Sequence, residues 1–108
     1  MNDETIFMKL FGTSPTVKVL DFLLTAREFD YSKKEIAENS VISYNTLNSI
    51  WSELLGNNVI TKTRRIGKQD LFKLNQGNKE VMLLIKFFDS LLMGSIDSIE
   101  KVKIKQTA

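Results

Sequence analysis

Apolar positions recur at helical spacing in five blocks of the chain, and between the fourth and fifth blocks the period shortens to that of a strand. The first block, Thr5 to Phe11, puts Phe7, Leu10 and Phe11 on one helical face and closes at Gly12. Ser14-Pro15 opens the second. A serine hydroxyl caps free backbone N–H groups, and proline fits the first helical position because it has no N–H to leave unpaired. Val17, Leu20 and Leu24, with Phe22 and Leu23 beside them, form a wide buried stripe that ends near Ala26. Ser32-Lys33-Lys34-Glu35 has the form of a capping box, in which Ser32 and Glu35 each satisfy the other's backbone N–H. Ile36 and Ala37 then face inward, and Asn39-Ser40 ends this short helix, with Asn39 or Ser40 expected to take the left-handed conformation of a tight turn. Ser43 caps the next helix, from about Tyr44 to Leu55 with Gly56 at its end. Its apolar side is Leu47, Ile50, Trp51 and Leu54, spaced i, i+3, i+4, i+7. That periodicity assigns Trp51 to the core rather than to a stacking surface.

Asn57-Asn58 is a turn, and the β-prone runs Val59 to Arg65 and Asp70 to Leu74 flank Ile66-Gly67-Lys68-Gln69, which predicts a hairpin. A final helix is expected from about Lys79 to Met93. It is apolar nearly all round, so it needs cover on more than one side. Val81, Leu84, Phe88 and Leu91 lie on one stripe, with Met82, Ile85 and Leu92 adjoining. Ser95 to Ala108 carries Ile96, Ile99 and Val102 at helical spacing and then turns basic, as a fraying tail would.

Charge sharpens this picture. Residues 1–60 hold five Lys/Arg and eight Asp/Glu, whereas residues 61–108 hold ten and five, so the net +2 conceals a basic second half. Lys62, Arg64, Arg65 and Lys68 crowd the outer hairpin, the footprint of a surface that meets phosphate. The exposed side of the preceding helix, Asn45, Ser49 and Ser52 with Asn48 on its flank, is small and polar, where mere solubility would favour Lys and Glu. Cysteine and histidine are both absent, which removes disulfides, the usual transition-metal sites and the commonest general base. No spacing suggests a catalytic pair, so an enzyme is not expected, nor are a cofactor and a metal. No apolar run approaches the roughly 18 residues of a membrane span. Asp3 and Glu4 replace the basic start of a secretory signal, and a cytoplasmic location follows as the expectation.

The order of these elements resembles the winged helix-turn-helix family, especially small archaeal and bacterial transcription regulators. Ile36-Ala37, Ile42, Leu47 and Ile50 carry the helix-turn-helix pattern, and Ser43-x-x-Thr46 the start of the recognition helix. Val59-Ile60, Arg64-Arg65-Ile66-Gly67-Lys68 and Leu71-Phe72-Lys73-Leu74 carry the wing. Two departures are the missing glycine in the turn and the lack of Arg or Lys on the outer face of the recognition helix. The resemblance covers residues 14 to about 92. It implies a mainly α fold with a β-hairpin wing: a winged helix-turn-helix with an added C-terminal dimerisation helix. The expected organisation is a single domain over residues 1–93, with the helix-turn-helix at about 32–55, the wing at about 59–74, the dimerisation helix at about 79–93, and a basic tail over 94–108.

The function this implies is duplex-DNA binding by a homodimer that regulates transcription. Asn45 and Asn48 suit bidentate contacts to adenine, and Ser49 and Ser52 suit either base type. Tyr44 and Thr46 sit at the helix start, where hydroxyls meet phosphate, although Tyr44 equally fits partial burial against the preceding helix. Lys33 and Lys34 are candidates for phosphate contact or for a solvated helix start, and Arg64, Arg65 and Lys68 are the strongest candidates of all. Phe7, Leu84, Phe88, Leu91 and Leu92 are the expected dimer interface. The rival reading is a winged helix that docks another protein in a transcription, replication or partition assembly. RNA is a more distant third, because its specific recognition relies on exposed aromatic side chains and only Tyr44 qualifies.

Overall fold

The computed structural model describes the backbone of residues 4–107 and the side chains of residues 4–94. Eight elements follow one another: α1 (Ile6–Phe11), α2 (Pro15–Thr25), β1 (Tyr31–Ser32), α3 (Lys33–Ser40), α4 (Tyr44–Gly56), β2 (Ile60–Ile66), β3 (Gln69–Leu74) and α5 (Lys79–Thr107). The helix starts are local chemistry. Thr5, Ser14, Ser32 and Ser43 each accept a hydrogen bond from a backbone N–H of the first turn they open. The capping box is complete: Glu35 N–H donates to Ser32 Oγ at 3.2 Å, and Ser32 N–H donates to Glu35 Oε1 at 2.8 Å. Asn78 opens α5, accepting from Glu80 N–H at 2.8 Å while its amide donates to the Asn58 carbonyl at 2.9 Å. That pair of bonds ties the α4–β2 turn to the start of the last helix.

The sheet has three antiparallel strands in the order β1-β3-β2. Gly67, with φ +62°, takes the first of the two turn positions between Ile66 and Gln69, the Gly-X pattern that matches the twist of a hairpin. Thr63 is the extra residue of a bulge, since Lys62 pairs with Phe72 and Arg64 with Leu71. The bulge re-aims the outer half of β2, and Arg64 and Arg65 follow it. Periodicity does not predict the short strand β1. Two residues give no alternation to detect, and Tyr31-Ser32 is extended because β3 offers it a free edge.

One core joins every layer. Val19, Leu23 and Leu24 of α2, Ile36 of α3, Leu47 of α4 and Leu74 of β3 are fully buried. Trp51 stands edge-on to Phe72 with ring centroids 4.9 Å apart, which confirms its place inside. On α5 the buried stripe is Val81, Ile85 and Phe88, and Phe88 meets Phe7 of α1 edge-on at 5.6 Å.

Two expectations are corrected here. Neither Asn39 nor Ser40 is left-handed; both lie within α3, and the left-handed residue of the turn is Val41, with φ 58° and ψ 47°. A β-branched residue in this region is strained, by about 1–2 kcal/mol for the L-configuration alone. Val41 is 78% exposed, so packing returns little of that cost. Val41→Asn, which tolerates the conformation, is expected to raise stability by up to ~1 kcal/mol, or about 4–8 °C in Tm for a domain near this size. A thermal melt followed by circular dichroism checks it, and a lower Tm would mean that the Val41 side chain packs more than its exposure implies. Second, α5 does not end at Met93: its backbone stays helical to Thr107. A single glycine, here Gly94, weakens a helix by about 1 kcal/mol without stopping it, and no proline follows.

Candidate nucleic-acid interface

The sheet places the wing tip beside the start of the helix-turn-helix. β1 runs directly into α3, and β3 pairs with β1, so Gln69 and Lys68 come back towards Lys33 and Lys34. The result is a cleft of about 350 Å³ lined by Lys33, Lys34, Tyr44 and Lys68 together with Gln69 and Asp70, with Trp51 and Phe72 among its apolar lining. Four residues chosen from sequence on separate grounds thus share one recess.

Lys33 is neither free nor merely solvated. Its ammonium lies 5.3 Å from the Tyr44 ring centroid and 5.1 Å from that of Trp51, within range of both ring faces. The two aromatics therefore hold a cation at the cleft wall. Tyr44 itself is 48% exposed, which leaves its hydroxyl edge available while its ring serves Lys33. Lys34 is exposed.

Along α4, Asn45, Asn48, Ser49 and Ser52 are exposed, and Thr46 is half-buried at the cap. Thr46 Oγ1 accepts from Ser43 Oγ at 2.7 Å, so its side chain is bound into the helix start. Ser49 donates its hydroxyl hydrogen back to the Thr46 carbonyl at 2.6 Å. Base contact by Ser49 as a donor requires that bond to break, whereas Asn45 and Asn48 carry no such bond among the described residues.

The wing arginines have acidic partners that sequence reasoning missed. Arg64 clamps Asp30 in bidentate fashion, Nε to Oδ2 at 2.9 Å and Nη2 to Oδ1 at 3.1 Å, and the Thr63 hydroxyl also donates to Asp30. Hydrogen bonds from Arg64 and Thr63 lower the Asp30 carboxyl from its ordinary 3.8 to about 2, and the same bridge raises Arg64. Lys62 Nζ stands 3.3 Å from Asp70 Oδ1 and Arg65 Nε 3.9 Å from the same atom. Neither is aligned as a hydrogen bond to that oxygen, so the pairing is electrostatic. Asp70 could be found from the sequence, because it faces Arg65 across the hairpin. Asp30 could not: it lies 34 residues before Arg64, on a loop with no periodic signal.

Because the folded pKa of Asp30 is depressed, the bridge is fully formed above about pH 4 and fails as pH falls through about 2. It is therefore constant across neutral pH. Asp30→Asn is expected to release Arg64, tightening duplex binding and steepening its log–log salt slope by up to about 0.9. Fluorescence anisotropy on a labelled duplex measures both, and an unchanged slope would mean that Arg64 does not reach phosphate even when freed.

The expected interface of α5 is partly corrected. Phe7 and Phe88, each 3% exposed, are internal to the single chain. Leu84 and Leu91 pack against the core with part of their surface open, and Leu92 is exposed. Among the described residues, the apolar side chains of these two helices left uncovered include Leu10 and Phe11 of α1, Phe11 meeting Phe87 at 5.9 Å, and Met82, Leu83, Phe87, Leu92 and Met93 of α5. Periodicity marks α5 as apolar on several sides but cannot tell which of them α1 covers.

Among the described residues no group of three or more acidic, His or Cys side chains is placed to hold a metal ion, and no helix is long and apolar enough to cross a membrane.

This arrangement defines a winged helix-turn-helix. No family model matches the chain, and no curated protein matches its sequence. Solved structures match its fold. ZitR of Lactococcus lactis, as a double mutant in apo form, superposes with a TM-score of 0.60 at 16% identity, over 91% of this chain and 74% of that one. Wild-type ZitR in complex with DNA gives 0.56 at 14% identity, over 82% and 60%. A MarR family regulator of Neisseria meningitidis gives 0.53 at 18% identity, over 94% and 86%. ZitR is itself a zinc-responsive MarR family member. The fold is thus that of MarR family structures, and the matched region is as little as 60% of the length of those regulators.

Proposed function

We propose that the protein is a homodimeric transcriptional regulator that binds duplex DNA through α4 and the wing. The observation that carries this reading is the cleft in which Lys33, Lys34, Tyr44 and Lys68 converge beside the exposed polar face of α4. A helix of that kind fits the major groove, and a cationic recess next to its start suits the flanking phosphates. The likeness to a structure solved on DNA supports it. The open apolar surface of Phe11, Leu83 and Phe87 supports a dimer, since two copies bury the same patch against each other by two-fold symmetry. Two half-sites about one helical turn apart follow. Neither a cofactor nor a metal enters this reading, and the protein acts as a binding module rather than an enzyme.

The test is a selection from random duplexes. Wild type is expected to enrich a sequence, and Asn45→Ala is expected to lose roughly 1–3 kcal/mol of discrimination at one base pair while keeping its non-specific affinity. If Asn45→Ala retains the full ratio of specific to non-specific binding, α4 does not read bases at this position. One observation favours a second reading. Lys62, Arg64 and Arg65 are already paired with Asp70 and Asp30, and a wing with neutralised arginines also suits docking to a protein. Failure to enrich any duplex would favour that reading.

A further inference from the structure

A separate cleft of about 560 Å³ opens between the start of α1, one side of α2 and the turn that joins α3 to α4. Met8, Phe22 and Val41 supply apolar lining, and two buried polar side chains share its wall, Asp21 at 8% exposure and Ser40 at 5%. The Thr5 hydroxyl donates to Asp21 Oδ1 at 2.8 Å, and no cation pairs with Asp21 among the described residues. Ser40 Oγ has no hydrogen-bond partner among the described residues. A buried hydroxyl with no partner is costly and seldom left so in native proteins, and a carboxylate mostly shielded from water, with a single hydroxyl neighbour, favours a cationic partner. Glu4 and Lys18 also line the cleft with opposite charges, and Asp21 is the remaining charged side chain among its described lining residues.

We propose that this cleft is a binding site for a small organic ammonium compound with an apolar body. The ammonium would donate to Asp21, which accepts but cannot donate when ionised, and the apolar body would lie on Met8 and Phe22. An anionic ligand would face the same carboxylate and be repelled. The volume falls within the roughly 300–1,000 Å³ of small-molecule sites. An occupant touches Val41, the strained residue two positions before the Ser43 cap of α4, so it bears directly on the turn that aims that helix. The proposal stands independently of the DNA reading.

Phenethylamine is the probe, with 2-phenylethanol and phenylacetate as its neutral and anionic counterparts, titrated into the full chain and followed by amide chemical shifts. The expected result is saturable shifts centred on Met8, Phe22 and Val41 with the amine. The alcohol is expected to bind about tenfold more weakly, as loss of a charge-assisted hydrogen bond implies, and the acid not to bind there. Asp21→Asn keeps an acceptor for Thr5 and is expected to erase the preference for amine over alcohol. The proposal is overturned if the amine shows no saturable response at these residues, or if wild type binds the alcohol or the acid as well as the amine. A folded Asp21→Asn variant that keeps the preference overturns it too. The comparison of three probes on wild type decides the matter even if the variant does not fold.

Discussion

Phe88→Ala is expected to destabilise the domain strongly rather than to dissociate a dimer. Phe88 is 3% exposed and meets Phe7, equally buried, edge-on at 5.6 Å, so the pair locks α5 onto α1 within one chain. Truncating a buried phenylalanine costs about 3–5 kcal/mol, because the lost transfer energy is joined by that of the cavity left behind. A domain with a total stability of about 5–15 kcal/mol loses a large share of it in one step. Leu83→Glu provides the contrast. Leu83 is 59% exposed, one turn from Phe87 on the open side of α5, so a charge there disturbs nothing inside the chain. It is expected to lower the dimer population while the circular-dichroism melt stays near that of wild type. Sedimentation and melting together separate the two variants. A Phe88→Ala protein that melts like wild type would refute the assignment of Phe7 and Phe88 to the core, and a wild type that sediments as a monomer would refute the dimer.

These two residues also mark how far the sequence can be followed. Signals that act within one turn are legible. Ser14-Pro15, the Ser32/Glu35 box and Ser43 place three helix starts, because capping needs only the next few N–H groups. The hairpin follows from alternation and from Gly67, and Trp51 from period alone. What stays hidden depends on partners distant in sequence. An all-round apolar helix cannot declare which side its own chain covers, so Phe88, expected at a dimer interface, lies inward. Asp30 meets Arg64 across α3, α4 and the start of β2, which lie between them in the chain. The left-handed role passes to Val41 because Asn39 is held within α3, its amide donating to the Glu35 carbonyl at 2.8 Å. Of the candidate site, Lys33, Lys34, Tyr44 and Lys68 are identifiable from sequence, but their convergence rests on the β1–β3 pairing that the sequence does not reveal.

That convergence makes the cleft lysines more telling than the wing arginines. Replacing Lys33, Lys34 and Lys68 together by glutamine is expected to weaken binding to every duplex, whatever its sequence, since phosphate contacts carry no base information. Every phosphate no longer neutralised should flatten the log–log salt slope by about 0.9, so the triple variant should lose ~2.7. Arg64→Gln, by contrast, should change the slope little, because Asp30 already occupies that guanidinium. The three lysines are half-buried or exposed and sit outside the packed core, so the fold should survive their replacement.

The most direct measurement is therefore the salt dependence of duplex binding, from about 50 to 200 mM, for wild type beside the triple lysine variant. Phosphate binding by the cleft lysines implies a steep slope for wild type and a slope shallower by ~2.7 for the variant. Equal slopes, or a wild type that binds no duplex at the lowest salt, would contradict it.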